Sequence, residues 1–262
     1  MGSSSSLKGK YEGLSMEMNQ GINNQIAVTF DLEWAPDEIL LDLFNLLSRY
    51  SVAVTLFATH KTPVLEDVKR GYEIGLHPNF NPLFYQTGHI TSYEILEQVK
   101  VWYPEAVGVR CHSRTVSAIL IDQFISMGLE YDANQICPYQ DWLMPYAYRG
   151  FCRFTDFWQD DVHAIYRRPF VLSNIPITSP GMKIFNFHPI HIYLNTDTIE
   201  RYQTAQKYYQ DPSKLREFRN TNSKGARDLL MELLQYLKEH RIQIFTLRDI
   251  AFSFLSEKKE GK

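Results

Sequence analysis

The chain alternates short runs of β-branched and aromatic residues with amphipathic stretches, and this alternation constrains its fold more than any other feature. The first predicted strand covers residues 26–30, and the helix predicted over residues 36–50 carries its apolar side chains on one face. The same succession of a strand and a helix recurs toward the C terminus. Strands that alternate with helices are typical of βα units, so the pattern predicts a parallel sheet or barrel with helices packed around it.

Periodicity and helix-capping residues place the other elements. Further strands are predicted over residues 52–58, 73–76, 107–109, 129–131, 182–187 and 242–247. Further helices are predicted over residues 63–70, from a capping box at Thr91 and Glu94, over 116–127 and 226–240, and from a cap at Thr246 and Asp249 through residue 255. Residues 79–90 are expected to form a long loop, and residues 134–179 lack a regular pattern, which is often a sign of function.

The 262 residues are expected to form one domain over residues 21–262, preceded by a flexible Ser/Gly-rich tail over residues 1–20. Hydrophobic residues make up 44% of the chain, which is enough for a sizeable core. The 27 basic and 30 acidic side chains give a net charge of −3. No basic excess therefore indicates a nucleic acid partner or an anionic membrane.

Cysteine usage and apolar runs predict a cellular location. The three cysteines form no Cys-x-x-Cys pair, which argues against a disulfide framework and a thiolate zinc site. No apolar run approaches the roughly 18 residues of a membrane span, and the first residues lack the hydrophobic segment of a secretory signal. These observations predict a protein of the reducing cytoplasm.

Four predicted strands are followed at once by residues of the kinds that bind metals or transfer protons. These residues are Asp31 with Glu33, His77, Arg110 with His112, and His188 with His191. Because the carboxyl ends of parallel strands lie on one face, the pattern predicts that these side chains converge on one site. Imidazoles and carboxylates are the ligands expected for zinc or a similar divalent ion at an open catalytic site.

Residue types alone leave the individual roles open. If the first strand continues, Asp31 and Glu33 point the same way, so one can bind a metal while the other acts as general base; alternatively, one caps the following helix. His77 is either a metal ligand or a core histidine. Arg110 pairs with Asp31, binds an anionic group of the substrate or forms an ordinary salt bridge.

The remaining candidates lie beside these positions or in the irregular region. Three histidines are expected to orient a ligand or a carboxylate: His112, His163 and His191. Trp158 can form a sugar-stacking wall or pack locally, and Asp160 and Asp161 can orient Arg110 or bind hydroxyl groups.

Five segments, taken in order, carry a resemblance to a known family. They are Thr29–Glu33, Gly75–Asn81, Gly108–Ser113, Phe157–Asp160 and Phe187–Pro189. From about Gln25 to Leu255 the sequence resembles the polysaccharide deacetylases, the carbohydrate esterase family 4 built on the NodB homology domain. The resemblance implies an α/β fold, an irregular (β/α) barrel of about seven parallel strands.

The resemblance also implies roles for single residues. These are Asp31 as catalytic base, Glu33 and His77 as metal ligands, Arg110 as the residue that orients the base, Asp160 as the acidic partner of that arginine, and His188 as general acid. The substrate pocket is expected to be lined by Trp158, His112 and His191.

Two departures from the family pattern bear on the metal site. Leu32 replaces the second acid of the usual Thr-Phe-Asp-Asp-Gly opening, and Asn81 stands where the second histidine of His-x-x-x-His is expected. Because asparagine is a poor ligand for zinc, His89 at the end of the long loop is the expected third ligand; water in its place, or a weakened site, are the alternatives. The expected cofactor is a divalent metal ion, with zinc favoured.

The variant motifs are similar to those of deacetylase-like proteins from surface-polysaccharide and O-antigen clusters. This similarity implies hydrolysis of an N-acetyl or related amide on a nucleotide-linked or lipid-linked amino sugar, with Asp31 taking a proton from water and His188 protonating the leaving amine. Two alternatives stay open. One is a catalytically silent carbohydrate-binding relative, and the other is a hydrolase of another small amide on the same fold.

Overall fold

The computed structural model describes residues 24–66, 71–85 and 90–260, with side chains described as far as residue 258. Within this part the strands are β1 (Ile26–Asp31), β2 (Val54–Ala58), β3 (Tyr72–Leu76), β4 (Gly108–Val109), β5 (Tyr131–Ile136), β6 (Tyr146–Tyr148), β7 (Phe151–Asp156), β8 (Trp158–Gln159) and β9 (Lys183–Phe187). The expected tail over residues 1–20 and the end of the predicted second helix, residues 67–70, lie outside the described residues.

Helices lie between most of these strands and follow the last one. They are α1 (Asp37–Leu47), α2 (Pro63–Glu66), α3 (Asn81–Phe84), α4 (Ser92–Trp102), α5 (Ala118–Ser126), α6 (Asp160–Ile165), α7 (Pro189–Leu194), α8 (Ile199–Ala205), α9 (Pro212–Glu217), α10 (Ala226–Glu239) and α11 (Leu247–Glu260). Among the described residues, no helix is both long and apolar enough to cross a membrane.

The strands form one sheet with the order β6-β7-β5-β4-β3-β2-β1-β9-β8. Every neighbouring pair is parallel except β6 and β7, which form an antiparallel hairpin. The predicted α/β class with a mostly parallel sheet is therefore confirmed. Phe157 alone separates β7, which pairs with β5, from β8, which pairs with β9.

The strand count differs from the predicted seven in two places. Residues 134–179, which lack a sequence pattern, contain β6, β7 and β8, and a turn at Arg149 and Gly150 with positive φ at both residues joins the first two. The strand predicted over residues 242–247 is wrong, because this segment makes a single bridge from Ile244 to Ile26 before α11 begins.

The centre of the sheet is buried on both faces. All six residues of β1 are buried between β2 and β9, which explains why this strand is a nearly continuous apolar run rather than an alternating one. On the outside, α1 packs its leucines against the same core, as its periodicity predicts. The predicted caps are also present, with Thr91 and Glu94 forming a capping box and Thr246 bonding to Asp249.

Candidate active site

Arg110 follows the two-residue strand β4 and extends into the interior of the molecule, where it is completely buried. Its Nη1 lies 3.0 Å from Asp31 Oδ1, and its Nη2 lies 2.8 Å from Asp156 Oδ1. Its Nε donates to the carbonyl of Ala133 at 3.0 Å. A buried guanidinium is tolerated only when its charge and its donors are satisfied, and two carboxylates and a carbonyl meet that need here.

Asp31, at the carboxyl end of β1, is held by this arginine and by an amide. Asn186 Nδ2 donates to Asp31 Oδ2 at 2.8 Å, while Asn186 Oδ1 accepts from Arg110 Nη1 at 2.7 Å. Burial opposes ionisation, but the charges of Arg110, His77 and His188 outweigh it and lower the pKa of Asp31 to about 2. Asp31 is therefore a carboxylate at neutral pH, as a general base requires.

The second acid that pairs with Arg110, besides Asp31, is Asp156 at the end of β7. The motif comparison predicted Asp160 in this role. Asp156 is completely buried, and its second oxygen accepts from Arg114 Nη2 at 2.6 Å. Asp160 begins α6 four residues further on, and it faces a different partner. The prediction for Asp160 is therefore corrected from pairing with the arginine to pairing with His188.

Asp160 and His188 form a buried pair. His188 Nδ1 lies 2.6 Å from Asp160 Oδ1, and the backbone N–H of His188 donates to Asp160 Oδ2 at 2.8 Å. Burial alone would lower the pKa of His188, but the charge and hydrogen bond of Asp160 raise it to about 10. The pair thus holds a protonated imidazole with its Nε2 3.8 Å from Asp31 Oδ2.

Glu33, His77 and His112 converge on a second point at the same end of the sheet. His77 Nε2 lies 3.0 Å and His112 Nδ1 lies 2.9 Å from one carboxylate oxygen, Glu33 Oε1. Burial would raise the pKa of Glu33, but the bonds from His112 and His77 hold it well below its usual range. The three residues come from the ends of β1, β3 and β4, which are far apart in sequence.

A tight turn brings Glu33 to this point. β1 ends at Asp31, and Glu33 and Trp34 then take left-handed backbone conformations with φ of 48° and 54°. The hydroxyl of Tyr209 donates to the Glu33 carbonyl at 2.6 Å. The two acids share a site as predicted, but through this turn and not through continued strand alternation. Uncommon backbone conformations of this kind cluster at functional sites.

The donor set fits a divalent metal. One ligand atom from each of Glu33, His77 and His112 lies within 4.8 Å of the others, and two imidazoles with one carboxylate are a common open zinc site. His77 is almost fully buried, yet its Nδ1 has no hydrogen-bond partner among the described residues. This nitrogen lies 3.8 Å from Asp31 Oδ1, too far for a hydrogen bond. A buried ring nitrogen without a hydrogen bond is unfavourable for a purely structural histidine, so the environment of His77 favours a ligand role.

Asn81 and His89, the two positions tied to the missing histidine, behave differently. The Nδ2 of Asn81 donates to Ser113 Oγ at 3.1 Å, and no hydrogen bond joins Asn81 to Glu33 among the described residues. His89 lies outside the described residues. Among the described residues, His112 is the second imidazole at Glu33, although the sequence suggested a substrate contact for it.

Trp158 and His191, the other predicted pocket residues, are buried. Trp158 is completely enclosed, lies 4.9 Å from the ring of Phe187 between centroids, and donates its indole N–H to His163 Nδ1. It therefore has no open face for a sugar, and the structure gives it a packing role. His191 packs on His188 at 5.5 Å between ring centroids and bonds to Thr196 Oγ1, so it lies behind the Asp160–His188 pair.

Sequence reasoning missed three groups at the site: Asp156, Asn186 and Trp34. Asp156 lies in the segment without periodicity, and Asn186 stands at an ordinary buried position inside β9. Two signals were available. A polar residue within the apolar run of β9 indicates a partner in the interior, and a tryptophan directly after Asp-x-Glu indicates an aromatic side chain at the mouth of the site.

The sequence and the fold are similar to those of known proteins. The model of the WbmS-like polysaccharide deacetylases matches residues 28–206. The crystal structure of a protein from Bordetella bronchiseptica, assigned as the polysaccharide deacetylase WbmS of O-antigen biosynthesis, is 34% identical and superposes with a TM-score of 0.77. That match covers 81% of this chain and 90% of the other.

Another solved structure is less similar to this chain. The peptidoglycan deacetylase PdaC of Bacillus subtilis is 14% identical, with a TM-score of 0.49, and the match covers 91% of this chain and 94% of that one. A search of curated protein sequences gives no match.

The region matched by the family model spans the site from Asp31 in β1 to His188 after β9, and Tyr209, which bonds to the Glu33 carbonyl, lies beyond it. It covers more than half of the chain, and the 34% identity to the Bordetella protein extends over four fifths of it. The chain therefore belongs to the WbmS-like polysaccharide deacetylase family.

Proposed function

We propose that the protein hydrolyses an N-acetyl or related acyl amide on an amino sugar of a surface-polysaccharide precursor, with the help of one divalent metal ion. The observation that carries the proposal is the pairing of two oppositely charged groups. The ionised Asp31 and the protonated His188 lie 3.8 Å apart beside the Glu33 cluster. A base and an acid held in complementary protonation states are what amide hydrolysis needs.

Each group has a separate task. Asp31 accepts the proton of the attacking water, since Arg110 and Asn186 fix its two oxygens and keep it ionised. His188 donates the proton of Nε2 to the leaving amine, because Asp160 holds its Nδ1 and fixes the ring orientation. Without that proton the amine anion would be a very poor leaving group.

Glu33, His77 and His112 would hold the metal. When bound, a divalent ion polarises the acyl carbonyl and makes water more acidic. The resemblance to O-antigen proteins supports a surface-polysaccharide precursor as substrate, because the Bordetella relative is assigned to that pathway. Zinc is the metal proposed, since imidazole and carboxylate ligands in an open set suit it.

The test combines metal content with acetate release. The purified protein is expected to bind about one zinc ion per chain and to release acetate from at least one of a panel of N-acetylated hexosamines, supplied free, nucleotide-linked or as oligosaccharides. His112→Ala is expected to weaken zinc binding at least about tenfold and to abolish turnover.

Asn81→Ala is the matched control, because it alters the position where the family carries a histidine. It should keep both zinc and activity, since the side chain of Asn81 bonds to Ser113. Zinc that stays bound in His112→Ala would remove His112 from the metal site. A wild-type protein that binds sugars without zinc and without hydrolysis would favour a silent carbohydrate-binding relative, and turnover of only non-sugar amides would favour a different amide hydrolase.

A further inference from the structure

Trp34 follows Glu33 directly and stays accessible at the edge of the site. Its side chain is 37% exposed, and its ring meets that of His112 edge-on at 5.2 Å between centroids. His112 in turn contacts Glu33 Oε1. An accessible aromatic ring therefore contacts one of the proposed metal ligands directly.

The backbone of Trp34 is fixed in an unfavourable conformation. Its φ of 54° lies in the left-handed region, which a bulky side chain rarely adopts. The N–H of Trp34 donates to Thr59 Oγ1 at 2.8 Å, and its carbonyl accepts from Gln210 Nε2 at 3.2 Å. Local strain of this kind persists only where surrounding contacts enforce it, so the fold fixes the backbone that carries this ring and leaves the ring accessible.

The position of Trp34 contrasts with that of Trp158. Trp158, which the motif comparison assigned to the pocket, is completely buried and offers no face to a ligand. A large aromatic side chain that is carried on a fixed backbone yet left open beside a polar site is typical of a ligand contact, because its apolar face gains from being covered. A hexopyranose has an apolar face of C–H groups that matches such a ring.

We propose that Trp34 is the platform on which a second sugar of the substrate stacks, next to the amino sugar whose amide is hydrolysed. The inference rests on the proposed function, and it adds that the substrate extends beyond one sugar residue. Trp34 would then discriminate oligosaccharides from monosaccharides by binding, without taking part in proton transfer.

The experiment compares N-acetylglucosamine with its β-1,4-linked trimer in wild type, Trp34→Ala, Trp34→Phe and Trp142→Ala. Trp142 is the matched control, because it is also exposed, at 55%, and also has a left-handed backbone, with φ of 61°. Its N–H bonds to Pro180, which precedes the amino end of β9, so it lies at the opposite end of the sheet from Asp31.

Trp34→Ala is expected to raise KM for the trimer about five- to tenfold, with kcat and zinc content unchanged and KM for the monosaccharide hardly altered. Trp34→Phe should restore part of the affinity, and Trp142→Ala should match wild type. A loss of kcat and zinc together would show that Trp34 only packs on His112. An unchanged KM for the trimer would also overturn the platform.

Direct binding of the trimer, followed by ligand-observed NMR, separates this inference from the deacetylase proposal. If wild type binds the trimer, Trp34→Ala binds it about five- to tenfold more weakly, and no sugar of the acetate-release panel is hydrolysed, the platform stands and the deacetylase proposal fails. If hydrolysis occurs and Trp34→Ala binds as tightly as wild type, the platform fails alone. A wild type that binds neither sugar overturns the platform.

Discussion

Asp31 at the carboxyl end of β1 and Glu73 near the amino end of β3 are equally buried, with 4% of each residue exposed. Their surroundings differ. Asp31 faces the guanidinium of Arg110, and its pKa falls to about 2. Glu73 accepts hydrogen bonds from the hydroxyls of Thr55 and Tyr131 and from the backbone N–H of Arg248, and burial raises its pKa above the usual range.

The difference separates two uses of a buried carboxylate. At the carboxyl end a full positive charge keeps Asp31 ionised and ready to accept a proton. At the amino end Glu73 and Thr55 bond to the first N–H groups of α11, so Glu73 fastens that helix to the sheet. Parallel barrels commonly place chemistry at the carboxyl end and stability at the amino end, and this sheet follows that division.

The largest expected effect is on catalysis. Asp31→Asn should lower kcat about 10³-fold, because the amide cannot accept a proton from water while it keeps the shape of the carboxylate. Acetate release measures the loss, and circular dichroism with zinc analysis shows that the fold and metal remain. Glu73→Gln, made in parallel at the other end of the sheet, should leave kcat within about twofold.

The contrast between the two ends of the sheet does not hold if Asp31→Asn and Glu73→Gln change kcat to the same extent. An Asp31→Asn protein that retains a tenth of the wild-type kcat would show that another group takes the proton. A Glu73→Gln protein that loses activity while staying folded would show that the amino end also influences the site.

The next largest expected effect is a loss of stability around Arg110, which pairs with Asp31 at the carboxyl end of the sheet. Asp156→Asn should lower the free energy of unfolding by about 3 kcal/mol, since Arg110 stays buried with one carboxylate instead of two. Urea denaturation measures this loss. Glu200→Gln is the control, because Glu200 pairs with Arg167 at an exposed position and should give no measurable change. Equal stability of the Asp156 variant and wild type would mean that Asp31 alone compensates the guanidinium.

The carboxyl end was largely predictable from sequence, for a physical reason. Side chains that directly follow parallel strands must share one face, so Asp31, His77, Arg110 and His188 could be placed together from strand periodicity alone. Glu33 and His112 were expected at the same site, but which side chains contact each other there could not be predicted. Glu33 and His112 meet across 79 positions of the chain, and no local pattern records a contact of that kind.

The amino end and the two edges of the sheet were less predictable. β8 has two residues and β6 is exposed throughout, so neither leaves an apolar periodicity in the sequence. As a result Asp156, at the end of the neighbouring strand β7, was missed and Asp160 was paired with the wrong residue. Glu73 in β3 gave no signal either, because a single acid in a short strand is usually solvated.

The smallest expected effect is a pH-dependent loss of stability at the amino end of the sheet. Glu73→Gln should lower the free energy of unfolding by about 1–2 kcal/mol at pH 4, since the amide cannot reproduce all three hydrogen bonds. The destabilisation should shrink as pH rises. A carboxyl whose folded-state pKa is raised contributes stability below its unfolded pKa and loses it as pH passes the folded pKa.

Wild type therefore begins to lose this contribution above about pH 4.5, the ordinary pKa of glutamate. The variant has no titrating group at position 73, so it shows no such loss. The guanidinium of Arg248 lies 3.9 Å from Glu73 and offsets only part of the burial. Unfolding of both proteins in urea between pH 4 and 8 measures the difference. If the difference in free energy of unfolding between wild type and Glu73→Gln grows as pH rises, Glu73 is stabilised as a carboxylate. The buried acids at the two ends of the sheet would then both be stabilised in the ionised form.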